Sequence, residues 1–242
     1  MDNLIGEFFG TMVLLVFGCG VCACNTLAKS KGQGGGWICI TAGWGFAVTL
    51  GVFTATTLGA PQGDLNPAVT LGKCLLGIYT VPQFLATSVV QILGGICGAA
   101  IVWLAYLPHW RETEDQGAKL GIFCTAPAIR HYSLNFLCEV IASFFLMFVI
   151  WMIFSAKVGS IPAGMGPYIV GILIWAIGMS LGGPTGYAIN PARDLGPRLA
   201  HFILPIAGKG KSDWAYAWVP VFAPLVGVGI AYIVVAALGV FL

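Results

Sequence analysis

The chain has 242 residues, 58% of them hydrophobic and only 8% charged, with a formal net charge of +2. A soluble domain carries roughly 25% charged residues, so this composition excludes a soluble globular fold. The positive charge is too small and dispersed to serve a nucleic acid. The apolar stretches are continuous, not alternating, which argues against a β-barrel and for an all-α membrane protein.

In chain order, the charge-free runs are Phe8–Ala28, Gly32–Gly63, Cys74–Trp110, Val140–Ala156, Val158–Ala192 and Trp214–Leu242. Each reaches the roughly 17–25 residues of a spanning helix. Trimmed at Pro, Gly and polar clusters, they predict six spans near residues 4–27, 37–58, 83–107, 134–155, 166–183 and 217–241. The first run is long and Glu7 stands where a basic n-region would precede it, so no cleavable signal peptide is expected. Between the third and fourth spans, His109 to Tyr132 is polar and carries Arg111, Glu112, Glu114, Asp115, Lys119 and Arg130; it reads as a solvated connecting loop, residues 109–132.

The cysteines lie mainly inside the apolar runs. Cys19 and Cys22 have a CxxC spacing, but no second pair and no nearby His accompanies them, so they read as small packing residues and not as a disulfide or metal site. His109, His131 and His201 fall at loops or ends without metal spacing. No metal, cofactor or catalytic group is expected, and the chain does not read as an enzyme.

The two halves follow one plan. Glu7 opens the first span and Glu139 the fourth, 132 residues apart; Asn66-Pro67-Ala68 and Asn190-Pro191-Ala192 are 124 apart; Gln91 to Gly95 parallels Pro220 to Pro224 at 129. Three markers at nearly one offset indicate an internal repeat, with halves of about 1–108 and 133–242 in a single domain of residues 1–242. An odd number of spans per half inverts the second half, and inverted repeats place a site near the midplane where broken helices meet.

Asn is a strong N-cap, and Pro suits the first helical position, where its missing N–H costs nothing. Each tripeptide therefore reads as a helix start, over Pro67–Leu76 and Pro191–Ile203. Ten residues rise about 15 Å, half a bilayer. The preceding segments Leu58–Leu65 and Gly182–Ile189 are non-helical backbone at membrane depth, tolerated only in a protein interior or beside an aqueous cavity. Two half-helix N-termini at the midplane gather two positive dipole ends. Asn66 and Asn190 would present amide donors to a pore. The carbonyls of Gly63, Asp64 and Leu65 and of Gly186, Tyr187, Ala188 and Ile189 would present acceptors. Arg193 is locally misplaced, because a cation in the first turn opposes the dipole, and intramembrane charges are functional by default. Its structural alternative is an ion pair with Asp194 or Glu139.

These residues resemble the aquaporin (major intrinsic protein) family, in particular its glycerol facilitator branch. The resemblance covers essentially the whole chain and rests on Gly6 to Thr11, both Asn-Pro-Ala motifs, and the stretch from Gly182 to Arg198. It implies six transmembrane helices, two re-entrant half-helices and a passive channel for small neutral solutes such as glycerol, with some water. The protein would lie in the plasma membrane as a homotetramer. The resemblance assigns a selectivity filter to Trp44, Gly178, Tyr187 and Arg193, a glycerol-branch marker to Asp194, and loop support to Glu7 and Glu139. Gly178 would leave room where water-selective relatives carry histidine. Asp64 departs from the histidine usual in the family, and a carboxylate there bears on anion exclusion and pH response. The resemblance also places both termini in the cytoplasm, with Lys73 and Lys157 inside and the other nine Lys and Arg outside; the positive-inside rule predicts the reverse. The alternatives are a predominantly water-conducting channel, a channel for neutral lactic acid, and, in a different class, a secondary active transporter.

Overall fold

The computed structural model describes residues 3–239. Within them the secondary structure is helical throughout: α1 Leu4–Thr26, α2 Gly36–Thr57, α3 Pro67–Leu75, α4 Val81–Ala105, α5 His109–Glu112, α6 Gln116–Phe123, α7 Tyr132–Ile153, α8 Met165–Leu181, α9 Pro191–Ile203 and α10 Trp218–Ala237. Five of these are long and apolar enough to span a membrane, and α8 is a shorter apolar helix of 17 residues. The six expected spans match α1, α2, α4, α7, α8 and α10 to within about two residues at most ends; residues 240 and 241 of the sixth lie outside the described residues. Both half-helices begin at their prolines as expected.

Local chemistry sets the ends. Thr80 and Gln83 form a reciprocal capping box at the start of α4, which satisfies two otherwise orphaned donors. Gly164, at φ 83°, supplies the left-handed turn into α8.

Between apolar helices in lipid there is little hydrophobic drive, so close approach over small residues takes its place. α1 packs on α2 and α4, α7 on α10, and α2 crosses α8, while α9 lies against α4 and α3 against α10. A side-chain carbon at Gly94 would sit 2.3 Å from the Phe8 carbonyl oxygen, and one at Gly227 would sit 2.5 Å from that of Val140. Phe8 and Val140 directly follow the paired glutamates, so Gly94 and Gly227 hold equivalent stations 133 residues apart. This corrects the third repeat marker: Gln91 corresponds to Pro224, not to Pro220. At the α2–α8 crossing, Gly45 and Gly171 each lie against the other's carbonyl, at 2.7 and 2.6 Å from an added carbon.

The connecting segment is not simply a solvated loop. It contains α5 and α6, and Trp110, Lys119, Ile122 and Phe123 are buried. The apolar side of α6 docks on α1 and α9, and Lys119 donates through Nζ to the Ala207 carbonyl. Its remaining charges stay wet. Lys29 pairs with Glu112 and, with its direct hydrogen bond, holds that exposed carboxyl below the usual carboxylate range. Arg130 pairs with Asp213.

We expect Gly94→Val to lower the melting temperature of the detergent-solubilised protein markedly, because overpacking here has backbone on the other side and costs about 1–3 kcal/mol or more. Gly229→Ala, whose added carbon meets nothing within 4 Å, should leave it unchanged or higher. Equal melting points for both variants would contradict the packing described.

Candidate functional site

Each half-helix is preceded by a loop whose alternate residues have positive φ: Gly63 at 58° and Leu65 at 54° in the first, Tyr187 at 39° and Ile189 at 43° in the second. Three of these are not glycine, and such positions cost about 1–3 kcal/mol each unless the surroundings impose them. Two buried carboxylates impose them. Glu7 accepts from the backbone N–H of Asp64 at 2.6 Å and of Leu65 at 2.8 Å, and from the Gln91 amide at 2.8 Å. Glu139 accepts from the N–H of Ala188 at 2.9 Å and of Ile189 at 3.0 Å, and from the Thr185 hydroxyl at 2.6 Å. Consecutive N–H groups converging on an anion form a backbone nest. Gln91 serves only the first half; at its counterpart Pro224 no such donor exists, and Thr185 substitutes.

The asparagines join the halves. Asn66 accepts from the Ala68 N–H, and Asn190 accepts from those of Ala192 and Arg193, so both cap their helices. Their amides then cross over: Asn66 Nδ2 donates to the Ile189 carbonyl at 2.9 Å and Asn190 Nδ2 to that of Leu65 at 2.8 Å. One N–H of each amide is therefore committed to the opposite loop, and a second N–H remains on each.

A cavity of about 610 Å³ runs past this junction. Trp44, Tyr187 and Arg193 line one end, both asparagines line it further along, and Gln62 and Lys73 lie beyond. Of the carbonyl-bearing residues expected along it, Gly63, Asp64, Leu65, Tyr187, Ala188 and Ile189 line it; Gly186 does not. Pro67, Ala68, Pro191, Ala192 and Asp194 are buried behind it.

Among the described residues Arg193 forms no ion pair with an acid. Its guanidinium carbon lies 4.0 Å from the centre of the Trp44 ring, and Nη1 lies 3.4 Å from the Phe123 carbonyl. Trp44 is fixed flat on Gly18, where an added carbon would meet its ring at 2.3 Å, and its indole N–H reaches the Cys22 sulfur at 3.3 Å. Asp194 instead pairs with buried Arg198 at 2.8 Å and accepts from the Thr125 N–H and hydroxyl at 2.8 and 2.7 Å. Arg198 also donates to the carbonyls of Thr125, Ser212 and Asp213. Sequence reasoning missed Phe123, Thr125 and Arg198; the apolar cluster at the end of α6 was the available signal.

Gly178 is placed differently from the expectation. It does not line the cavity, and its side-chain space is filled by Tyr187, whose Cζ would lie 2.7 Å from an added carbon. Trp37 closes this corner, donating to the Gly178 carbonyl at 3.0 Å and standing edge-on to the Tyr187 ring. The glycine makes room for tyrosine rather than for a solute.

Six apolar helices around two half-helices that meet tip to tip beside a continuous cavity define a membrane channel fold. The sequence profile described as "Major intrinsic protein" matches residues 1–235, and the chain belongs to that family. It is 54% identical over 225 residues to glycerol uptake facilitator protein 3 of Lactiplantibacillus plantarum, covering 93% of this chain and 92% of that one. It is 49% identical to a probable glycerol uptake facilitator protein of Thermotoga maritima, covering 94% and 95% of the two chains. Its fold matches the X-ray structure of the aquaglyceroporin from Plasmodium falciparum with a TM-score of 0.84 at 29% identity, covering 97% and 94%.

If Gly178 serves to seat Tyr187, Gly178→Ala should already reduce solute flux through reconstituted protein severalfold, approaching the effect of Gly178→His. A silent alanine beside a blocking histidine would restore Gly178 to the solute path.

Proposed function

We propose that the chain is a passive channel for glycerol and other small uncharged solutes, with some water, that excludes ions and protons. The observation that carries this reading is the mixed lining of the cavity. Its lining joins the loop residues Gly63 to Asn66 and Tyr187 to Asn190 to apolar side chains of α2, α7 and α8, among them Val48, Val52, Leu146, Met147, Ile150 and Ile174. A polyol is mixed in the same way, with hydroxyls beside C–H groups. Pore selectivity of this kind follows from diameter, lining donors and acceptors, and electrostatic barriers. Here Trp44, Tyr187 and Arg193 form the filter, the carbonyl rows carry the hydroxyls, and Arg193 with the two dipole ends opposes cations. Glu7 and Glu139 support the two loops. Asp194, through Arg198 and Thr125, holds the wall behind Arg193. The relatives named as glycerol facilitators support the choice of solute, and the family supports a plasma-membrane homotetramer with both termini in the cytoplasm.

Stopped-flow light scattering on proteoliposomes tests the reading. Glycerol flux should rise linearly with concentration and ignore ion gradients; saturable, gradient-driven uptake would make the protein a transporter, and water flux without glycerol flux would make it a water channel. Lactic acid flux matching that of glycerol would widen the solute class.

Arg193→Val should raise proton or cation leak severalfold, read as dissipation of a pH gradient in the same vesicles. For orientation, cysteines placed in residues 109–132 should react with an impermeant thiol reagent from outside the cell; labelling only from the cytoplasm would reverse the assignment.

A further inference from the structure

Among the described residues, the charged side chains along the cavity are Arg193 at one end and Asp64 and Lys73 toward the other. The latter two form an ion pair whose members are unequally placed. The Asp64 side chain is 0% exposed and that of Lys73 11% exposed, so the lysine is the more accessible member of the pair, and both residues line the cavity. Asp64 is held from three sides: its N–H on Glu7 at 2.6 Å, its Oδ2 by the Thr70 hydroxyl at 3.1 Å, and its Oδ1 by Lys73. Lys73 sits in the last turn of α3, where a cation suits the helix dipole, with its ammonium 5.9 Å from the Tyr79 ring. Asp64 thus leaves no bare carboxylate in the cavity, contrary to what its place in the sequence implied.

A solute hydroxyl is both donor and acceptor. The carbonyl rows satisfy its hydrogen, but its oxygen needs an N–H. At the junction, Asn66 and Asn190 each have one N–H committed across the halves. At one end Arg193 supplies donors. At the other, a lysine ammonium has three N–H groups, and Asp64 engages it at one oxygen. We propose that Lys73 is a second solute-binding donor of the path, a specificity-determining residue at the end opposite Arg193, with Asp64 as the residue that positions it. The inference rests on the channel reading above. It predicts that discrimination in favour of hydroxylated solutes over water depends on the chemistry of residue 73.

The readout is the ratio of glycerol to water permeability in proteoliposomes, which does not depend on how much protein is folded and inserted. Lys73→Met should lower this ratio about threefold to tenfold, the scale of one lost hydrogen bond, and Lys73→Arg, which retains the donors, should keep it near the wild-type value. Removing one partner of a buried pair strands the other charge, so Asp64→Asn/Lys73→Met is made alongside; it should show the same low ratio, and it carries the comparison if Lys73→Met passes neither solute. Asp64→Asn should lower the ratio only while Lys73 is present. An unchanged ratio in the double variant, or one in Lys73→Arg as low as in Lys73→Met, would reduce the pair to a structural bond and overturn the proposal. Absence of glycerol flux in the wild-type protein would instead overturn the channel reading beneath it.

Discussion

The structure depends on two buried carboxylates that hold two loops in a conformation they would not otherwise keep. Leu65, Tyr187 and Ile189 have positive φ without being glycine. An unsupported loop would relax, and at membrane depth its N–H groups would have no water to bond. Glu7 and Glu139 gather those N–H groups on the side facing the surrounding helices. The same residues line the cavity, and their carbonyls are available to face it. One interaction therefore satisfies the buried donors and supplies the polar wall. The close glycine contacts follow from it: Gly94 and Gly227 press against the carbonyls of Phe8 and Val140, next to the glutamates, and so lock the helices that carry them.

A second constraint acts across the halves. Each asparagine caps its own helix and ties the opposite loop, so neither half-helix can move along the cavity without breaking a bond of the other. Arg193 is placed within this frame by neutral partners, the Trp44 face and the Phe123 carbonyl, and retains its charge uncompensated by any acid bonded to it. Asp194, the nearest acid in sequence, is occupied by Arg198 and Thr125. That division of labour between adjacent residues allows a cation on the Trp44 face beside a fully paired ionic cluster.

Much of this was legible in the residues. The spans and half-helices were readable because charge-free runs and Asn-Pro starts are local signals; the repeat paired Glu7 with Glu139, and only the family resemblance assigned them to the loops. The connecting segment was misread because its charges, most of which stay at the surface, are conspicuous, whereas Trp110, Lys119, Ile122 and Phe123 turn inward through tertiary packing that no local pattern reports. Gly178 was misread for a related reason. A glycine reads as empty space, and only the fold shows that the Tyr187 ring occupies it. Asp64 reads in the sequence as a carboxylate that bears on anion exclusion and pH response, because Lys73, nine residues on, is counted there for topology and not as a partner.

The repeat explains why the two ends of the path cannot be chemically alike. At the spacing of the asparagines, Arg193 corresponds to Val69 and Asp194 to Thr70. The first half-helix therefore offers no cation in its first turn, and its Thr70 serves Asp64 and Gln91 in place of an arginine cluster. A cation at the other end of the cavity had to come from elsewhere on α3, and its last turn is the position the dipole favours. Lys73 occupies that turn, and Asp64, on the loop held by Glu7, is placed to receive it. Arg193 is installed against the dipole by aromatic and carbonyl contacts, Lys73 with the dipole by an ion pair. If Lys73 is the donor proposed above, an inverted repeat whose halves diverged around a shared path has met one requirement, a donor at each end of a row of acceptors, in two unlike ways.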